Sequence, residues 1–453
     1  MHITRDRGQE VGLTQFQQKP PGATALGELL PPLTNNEAAV EATRCLMCYD
    51  APCTHACPTH IDIPRFIKKI ATRNLRGSAR TILESNLLGA TCARVCPVHE
   101  LCEGACVLGA EHKPIAIGRL QRYAMDFAYG RGMDLFQPAE ATGKKVAVIG
   151  AGPAGLSCAG ELAKRGHGVT LFEKRDLAGG LSTYGIIGLR EPVEVALAEV
   201  AMLTKLGIKM ETGKELGSNL TMSDLQGDFG AVFLSVGLGI TTTLGIPGEE
   251  YILDGLEYIE QSKLDTNKLI VGRNVVVIGA GNTAIDCATI AKRLGASQVT
   301  MVYRRSEKEM TAYAHEYDFI KREGVRFSFL TQPVRVRVEN GTVKSLECLR
   351  MSLGAEDASG RPFPQPVPGS EFLFAADQIV KATGQEKPSL AAMLKLKTDK
   401  GFIQVNEEFE TSTPGVYAGG DCIRARGAAS TVMAVQDGKL AAHAIHERLV
   451  ALG

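Results

Sequence analysis

The chain has 453 residues, 50 Lys and Arg against 50 Asp and Glu, and 44% hydrophobic residues. That length supports two or three domains, each able to bury a core, and the charge balance argues against a nucleic-acid or membrane surface as the main partner. No apolar run approaches the ~20 residues of a membrane span, and Met1-His2-Ile3-Thr4-Arg5-Asp6 lacks the apolar core of a secretory signal, so a cytoplasmic protein is expected.

Residues 1–35 are rich in Pro, Gly and Gln with little periodicity and read as an extended arm. From Asn36 to about Asp134 the pattern is helical with short loops; Ile63–Thr72 and Ser78–Glu84 place apolar residues at helical spacing. Most of the chain's 12 cysteines lie here. One group reads Cys45-x2-Cys48-x4-Cys53-x3-Cys57-Pro58, the other Cys92-x3-Cys96-Pro97-x4-Cys102-x3-Cys106. Clustered cysteines in a long cytosolic chain point to metal rather than to a disulfide framework. Ferredoxin-type motifs hold thiolates in tight loops, with a Cys-Pro supplying a ligand that crosses to the other cluster. Two Cys-Pro groups therefore point to two [4Fe–4S] clusters. Zinc also takes clustered thiolates, but these spacings fit paired Cys-x2-Cys knuckles poorly.

Beyond Gly143 short β-branched runs ending in glycine alternate with helical segments, the texture of βαβ units and parallel sheets. The run Lys145–Ile149 leads into Gly150-Ala151-Gly152-Pro153-Ala154-Gly155, where glycines let the backbone approach a pyrophosphate at a helix N-terminus. The next strand, Val169–Phe172, ends in Glu173, placed to grasp a ribose hydroxyl. A second start, Asn274–Ile278, leads into Gly279-Ala280-Gly281-Asn282-Thr283-Ala284. Its following strand, Val299–Tyr303, ends in Arg304-Arg305 instead of an acid, and arginine there accommodates the 2′-phosphate of NADP. Two solvated arginines at a strand end are the plainer alternative, so NADP or NAD is expected. A Pro/Gly-rich stretch at Ala358–Ser370 reads as a surface loop or hairpin.

Near the C-terminus, Thr413-Pro-Gly-Val-Tyr-Ala-Gly-Gly420-Asp421 reads as turn, strand and Gly-Gly-Asp. This resembles the FAD-dependent disulfide-reductase-like flavoproteins, in which that Asp contacts the FAD ribityl chain and the following helix points at the flavin. Ala382-Thr383-Gly384, after Gln378–Lys381, is similar to that family's link back into the FAD domain, and it is counted here with the NAD(P) contacts. The order of cysteine-rich helices, FAD domain and NAD(P) domain resembles glutamate synthase small subunits and the N-terminal half of dihydropyrimidine dehydrogenases. It is most similar to the flavin- and cluster-carrying subunits of the bacterial NAD(P)-dependent dihydropyrimidine dehydrogenases. The residues that carry the resemblance are Arg44–Cys53, Ala56–Pro58, Ala93–Pro97 and Ile117–Gln121.

The resemblance implies one cluster on Cys45, Cys48, Cys53 and Cys106, and another on Cys57, Cys96, Cys102 and Gln121. Cys92 is left over, and Gln121, a poor iron ligand on softness grounds, rests on the resemblance alone. It also implies FAD contacts at Glu173, Lys174, Gly180, Leu181, Arg190, Leu216, Gly420, Asp421 and Thr431. A departure occurs at Gly185–Arg190, where Ile187 and Leu189 replace the family's proline and aromatic residue.

The expected fold class is α plus α/β: a helical iron–sulfur domain over 1–142, an FAD-binding domain over 143–262 and 377–453, and an NAD(P)-binding domain over 263–376. The implied activity is hydride transfer from NAD(P)H to FAD, then electron flow through two [4Fe–4S] clusters to an FMN-containing partner that reduces uracil or thymine. A glutamate synthase small subunit or a related adaptor is the alternative. A cluster-bearing assembly subunit without flavin function is set against by Gly150, Gly152, Gly155 and Asp421. Beyond residue 110 no Cys-x2-Cys pair offers disulfide-reductase chemistry.

Overall fold

The computed structural model describes residues 27–356, 360–424 and 429–451. Residues 1–26 of the expected arm and 357–359 at the start of the Ala358–Ser370 stretch lie outside the described residues.

The N-terminal region is helical: Asn35–Thr43, Pro52–His55, Ile63–Ala71, Leu75–Ser85, Gly89–Val95 and Ile117–Gly130. The helix Ile63–Ala71 shows why. Asp62 caps it by accepting from the Arg65 N–H at 3.1 Å, and Ile63, Phe66, Ile67 and Ile70 form one buried stripe at helical spacing. That stripe joins Ile82, Leu83, Leu120 and Met125 in a core of its own. Most of this region's cysteines sit in loops or at helix ends around this core, and Cys92 lies within the helix Gly89–Val95.

The first nucleotide sheet is parallel throughout. It contains Lys145–Ile149 (β1), Gly168–Phe172 (β2), Lys209–Glu211 (β3) and Ala231–Leu234 (β4). The second is also parallel, with Leu253–Asp254 (β5), Asn274–Ile278 (β6), Gln298–Val302 (β7) and Arg326–Ser328 (β8). Four antiparallel strands follow: Thr331–Glu339 (β9), Thr342–Glu356 (β10), Pro362–Pro366 (β11) and Phe372–Ala375 (β12). The chain then returns through Gln378–Lys381 (β13), the ribbon Thr398–Asp399 (β14) with Phe402–Ile403 (β15), and Val416–Ala418 (β16). The first sheet has the order β16-β4-β1-β2-β3 and the second β5-β13-β6-β7-β8. The second nucleotide unit is thus inserted between β4 and β16 of the first.

The sheets divide the chain differently from the expected boundaries. β5 and β13 pair with each other in parallel, and β13 pairs with β6, so residues before 263 and after 376 belong to the second sheet. Two crossing strands link the units, joined by an antiparallel bridge between Thr241 and Gln385. The Ala358–Ser370 stretch contributes β11 to an antiparallel sheet. That sheet lays Val336, Val343 and Leu346 on Val276, Ile278 and Ile379 of the second parallel sheet. Among the described residues no helix is long and apolar enough to cross a membrane.

Candidate functional site: two nucleotide crevices and two thiol-lined hollows

At the first glycine turn, β1 ends in Gly150, held at φ +99, and the helix Pro153–Lys164 starts from Gly152 without a side-chain cap. Its first-turn N–H groups are therefore left to an anion. A Cβ on Gly155 would lie 1.9 Å from the Gly150 carbonyl oxygen, so only glycine lets helix and strand meet this closely. Glu173 is buried over the turn, its Oε2 accepting from the Ala151 N–H at 2.8 Å and its Oε1 from the Arg175 N–H at 2.9 Å. Each carboxylate oxygen keeps a lone pair for a ribose hydroxyl. Gly180 and Leu181 begin the short helix Leu181–Tyr184 beside this turn, where Gly180 lies against Gly152. Lys174 is exposed and 3.8 Å from Glu215, while Leu216 is buried in the core below. Gly420 and Asp421 follow β16; the Gly420 N–H donates to Asp437 at 3.0 Å, and burial pushes the Asp421 carboxyl up. Thr431 opens the helix Thr431–Ala451. The glycine turn, Glu173 and Asp421 lie at the carboxyl ends of the strands, where ligands bind in doubly wound sheets.

The second crevice repeats the design. Gly279 sits at φ +137, and a Cβ there would lie 2.3 Å from the carbonyl of Ala382. Gly281 starts the helix Asn282–Arg293, again without a side-chain cap. The Asn282 side chain accepts from the Tyr313 N–H at 3.1 Å, Thr283 lies in the first turn, and Ala284 is fully buried. Ala382 donates its N–H to Ile278, and the Thr383 hydroxyl donates to Thr242, which places Ala382–Gly384 on the rim of this crevice. The two arginines part company. Arg304 is exposed at the end of β7, whereas Arg305 is buried and donates from Nε to the Pro362 carbonyl at 3.1 Å. That bond ties Arg305 to β11. Arg190, expected at the flavin, is engaged elsewhere: it bridges Asp286 at 3.0 Å and Glu316, tying the two nucleotide units together.

The cysteines ring two hollows. The inner one is lined by Cys57, Cys92, Cys96, Cys102 and Gln121, together with Val432 from the C-terminal helix of the first nucleotide unit. The outer one is lined by Cys45, Cys48, Cys53 and Cys106. Ile63 lines both. Thus Cys57 faces the second cysteine group and Cys106 the first. Burial, followed by the charges of Cys106 and Cys45, pushes the Cys53 thiol up to about 11. Cys96 is raised first by its hydrogen bond with Cys92 and then by burial. Such crowding of thiolates is unfavourable alone and is relieved by a soft cation set among them. Among the described residues no three His, Cys, Asp or Glu side chains converge as a single ion requires. Gln121 is buried and donates from its amide nitrogen to the Gly89 carbonyl at 2.7 Å, which leaves the amide oxygen as the atom it can offer to the hollow.

A buried polar knot joins the inner hollow to the flavin crevice, and sequence reasoning missed it because its members are isolated residues on separate elements. Glu199 accepts from the N–H groups of Ala90 at 2.7 Å and Thr91 at 3.3 Å, capping the helix that carries Cys92 and Cys96. Burial outweighs those bonds and pushes its carboxyl up to about 8. Glu191 accepts from the Thr91 hydroxyl at 2.5 Å, and Lys263, lowered to about 8 by burial, donates to the Ser182 carbonyl next to Leu181.

Comparison with known proteins agrees with this geometry. The family model of pyridine nucleotide-disulphide oxidoreductases matches residues 144–438, and that of dihydropyrimidine dehydrogenase domain II, 4Fe-4S cluster, matches residues 23–133. The chain belongs to the pyridine nucleotide-disulphide oxidoreductases, in the group that joins this fold to an N-terminal iron–sulfur domain. It is 36% identical over 429 residues to the NAD-dependent dihydropyrimidine dehydrogenase subunit PreT of Escherichia coli, covering 95% of this chain and 98% of that protein. Against the Escherichia coli glutamate synthase [NADPH] small chain, identity is 34% over 92% of this chain and 93% of that one. The subunit beta of an NADP(+)-dependent formate dehydrogenase from Moorella thermoacetica is 38% identical over 88% of this chain, which spans 60% of that relative's length. Thioredoxin reductase of T. acidophilum shares the fold, with TM-score 0.53, 23% identity, and coverage of 68% of this chain and 99% of that one. The chain is therefore an NAD(P)-dependent oxidoreductase with an iron–sulfur domain.

Proposed function

We propose that this chain is the electron-input subunit of a pyrimidine-reducing complex, taking reducing equivalents from NAD(P)H and delivering them to an FMN-containing partner that converts uracil or thymine to the 5,6-dihydropyrimidine. In this reading an FAD accepts hydride from the nicotinamide and two [4Fe–4S] clusters carry electrons onward singly. The observation that carries it is the succession of the two hollows: the inner touches the flavin unit through Val432, the outer is lined by the N-terminal region alone, and Ile63 stands between. Cys57, Cys96, Cys102 and Gln121 hold the inner cluster, and Cys45, Cys48, Cys53 and Cys106 the outer. Gly150, Gly152, Pro153, Gly155 and Glu173 seat the FAD pyrophosphate and ribose, with Asp421 and Thr431 on the flavin side. Gly279, Gly281 and Asn282 seat the nicotinamide dinucleotide, and Arg304 offers an exposed cation at the strand end for a 2′-phosphate.

The pyrimidine acceptor is supported by the match to the dihydropyrimidine dehydrogenase subunit, 36% identical over 429 residues. The glutamate synthase small chain matches nearly as fully and supports the second reading, in which the partner is an amidotransferase. Reconstitution separates them. The purified chain alone should oxidise NAD(P)H with an artificial dye and leave uracil untouched, and adding an FMN-containing pyrimidine reductase subunit should yield dihydrouracil. Dihydrouracil formation by the isolated chain, or no response to that partner, would overturn the proposal.

A further inference from the structure

The inner hollow has five donor side chains, one more than the four corners of a four-iron cube. Cys92 is the extra one, and it is 2% exposed. It lies one helical turn before Cys96 on the helix Gly89–Val95, and three residues after Gly89, so both neighbours share its face. The Gly89 carbonyl is the group to which Gln121 is bonded. Cys92 and Gln121 therefore reach the hollow from the same wall as Cys96, to which Cys92 is hydrogen-bonded, while Cys57 and Cys102 come from loops elsewhere.

We infer that Cys92 and Gln121 address the same corner of the inner cluster, and that Cys92 is a spare ligand, binding iron when the amide is removed. The inference rests on the cluster reading above. Thiolate is the softer donor and the better match to iron, so a vacated corner draws it in. In that exchange an Fe–S bond takes the place of the Fe–O bond, the Cys92 thiol proton passes to solvent, and no electron changes hands. The cluster then carries one more negative charge, which lowers its reduction potential.

Four proteins test this: the parent, Gln121→Ala, Cys92→Ala and the double variant, each purified anaerobically and assayed for iron, FAD and the electron paramagnetic resonance of the reduced clusters. FAD content reports whether each chain has folded. The parent and both single variants should hold about eight irons. Cys92→Ala should keep the parent's spectrum, and Gln121→Ala should show a changed one. The double variant should hold about four irons with full FAD. Gln121→Ala alone dropping to about four irons with full FAD, Cys92→Ala doing so, or the double variant keeping about eight, each overturns the inference. A parent without iron defeats the cluster reading itself.

Discussion

Arg190 offers a sharp test of how the nucleotide units are joined. Its guanidinium bridges Asp286 at 3.0 Å and Glu316, both buried carboxyls on the second unit, from a loop of the first. Arg190→Ala strands both acids, and breaking a buried pair from one side costs about 3–5 kcal/mol. For a unit of this size that is a fall in melting temperature of roughly 10 °C. The penalty has a pH signature. Burial already raises Asp286 to about 6 against the attraction of Arg190, so the folded chain holds this proton more tightly than the unfolded one. Its contribution is full below the unfolded value near 4, and it is lost as pH rises through 6. Without Arg190 the loss continues to higher pH. The gap between parent and variant should therefore be small at pH 5 and large at pH 8, followed by thermal release of flavin fluorescence. Adding Asp286→Asn should recover part of it. Dye reduction should also slow, because the bridge pins the nicotinamide-motif helix to the flavin unit. Equal gaps at pH 5 and pH 8, or no gap at pH 8, would refute the reasoning.

Three further outcomes are expected. Arg304→Ala should lower kcat/KM for NADPH about tenfold, the value of one charge-assisted phosphate bond, and leave NADH unchanged; an unaltered ratio makes the side chain a bystander. Gly155→Val should yield chain without FAD, because its Cβ would lie 1.9 Å from the Gly150 oxygen, and a yellow variant with parent flavin content would contradict the FAD reading. Cys53→Ala should reduce iron from about eight to about four per chain and abolish only the partner-coupled reaction, so loss of dye reduction as well would place the outer hollow elsewhere in the path.

Local signals were legible where the chemistry is local. Gly150 and Gly279 take the positive-φ conformations that a strand-glycine-helix pattern announces. The cysteines announced metal, yet sequence proximity groups Cys57 with Cys53, and Cys106 with Cys102. In space Cys57 and Cys106 change sides, because the helices Ile63–Ala71 and Ile117–Gly130 fold between the two groups. Arg305 looked like a partner of Arg304 because adjacent residues on a strand end read alike. Only the long-range packing of β11 decides that one is buried and the other exposed. The unit boundaries were misplaced for the same reason: β5 is two residues long, and its membership depends on pairing with β13, far away in sequence. Cys92 gave no local sign of facing the inner hollow, since a buried helical cysteine is ordinarily a small hydrophobe.

The most direct measurement is metal and flavin analysis of the anaerobically purified chain, followed by titration with NAD(P)H. About eight irons and about one FAD per chain are expected, with bleaching of the flavin by NAD(P)H and the reduced-cluster resonances that two four-iron centres produce. Stoichiometric zinc without iron, or a flavin that NAD(P)H fails to bleach, would contradict that expectation.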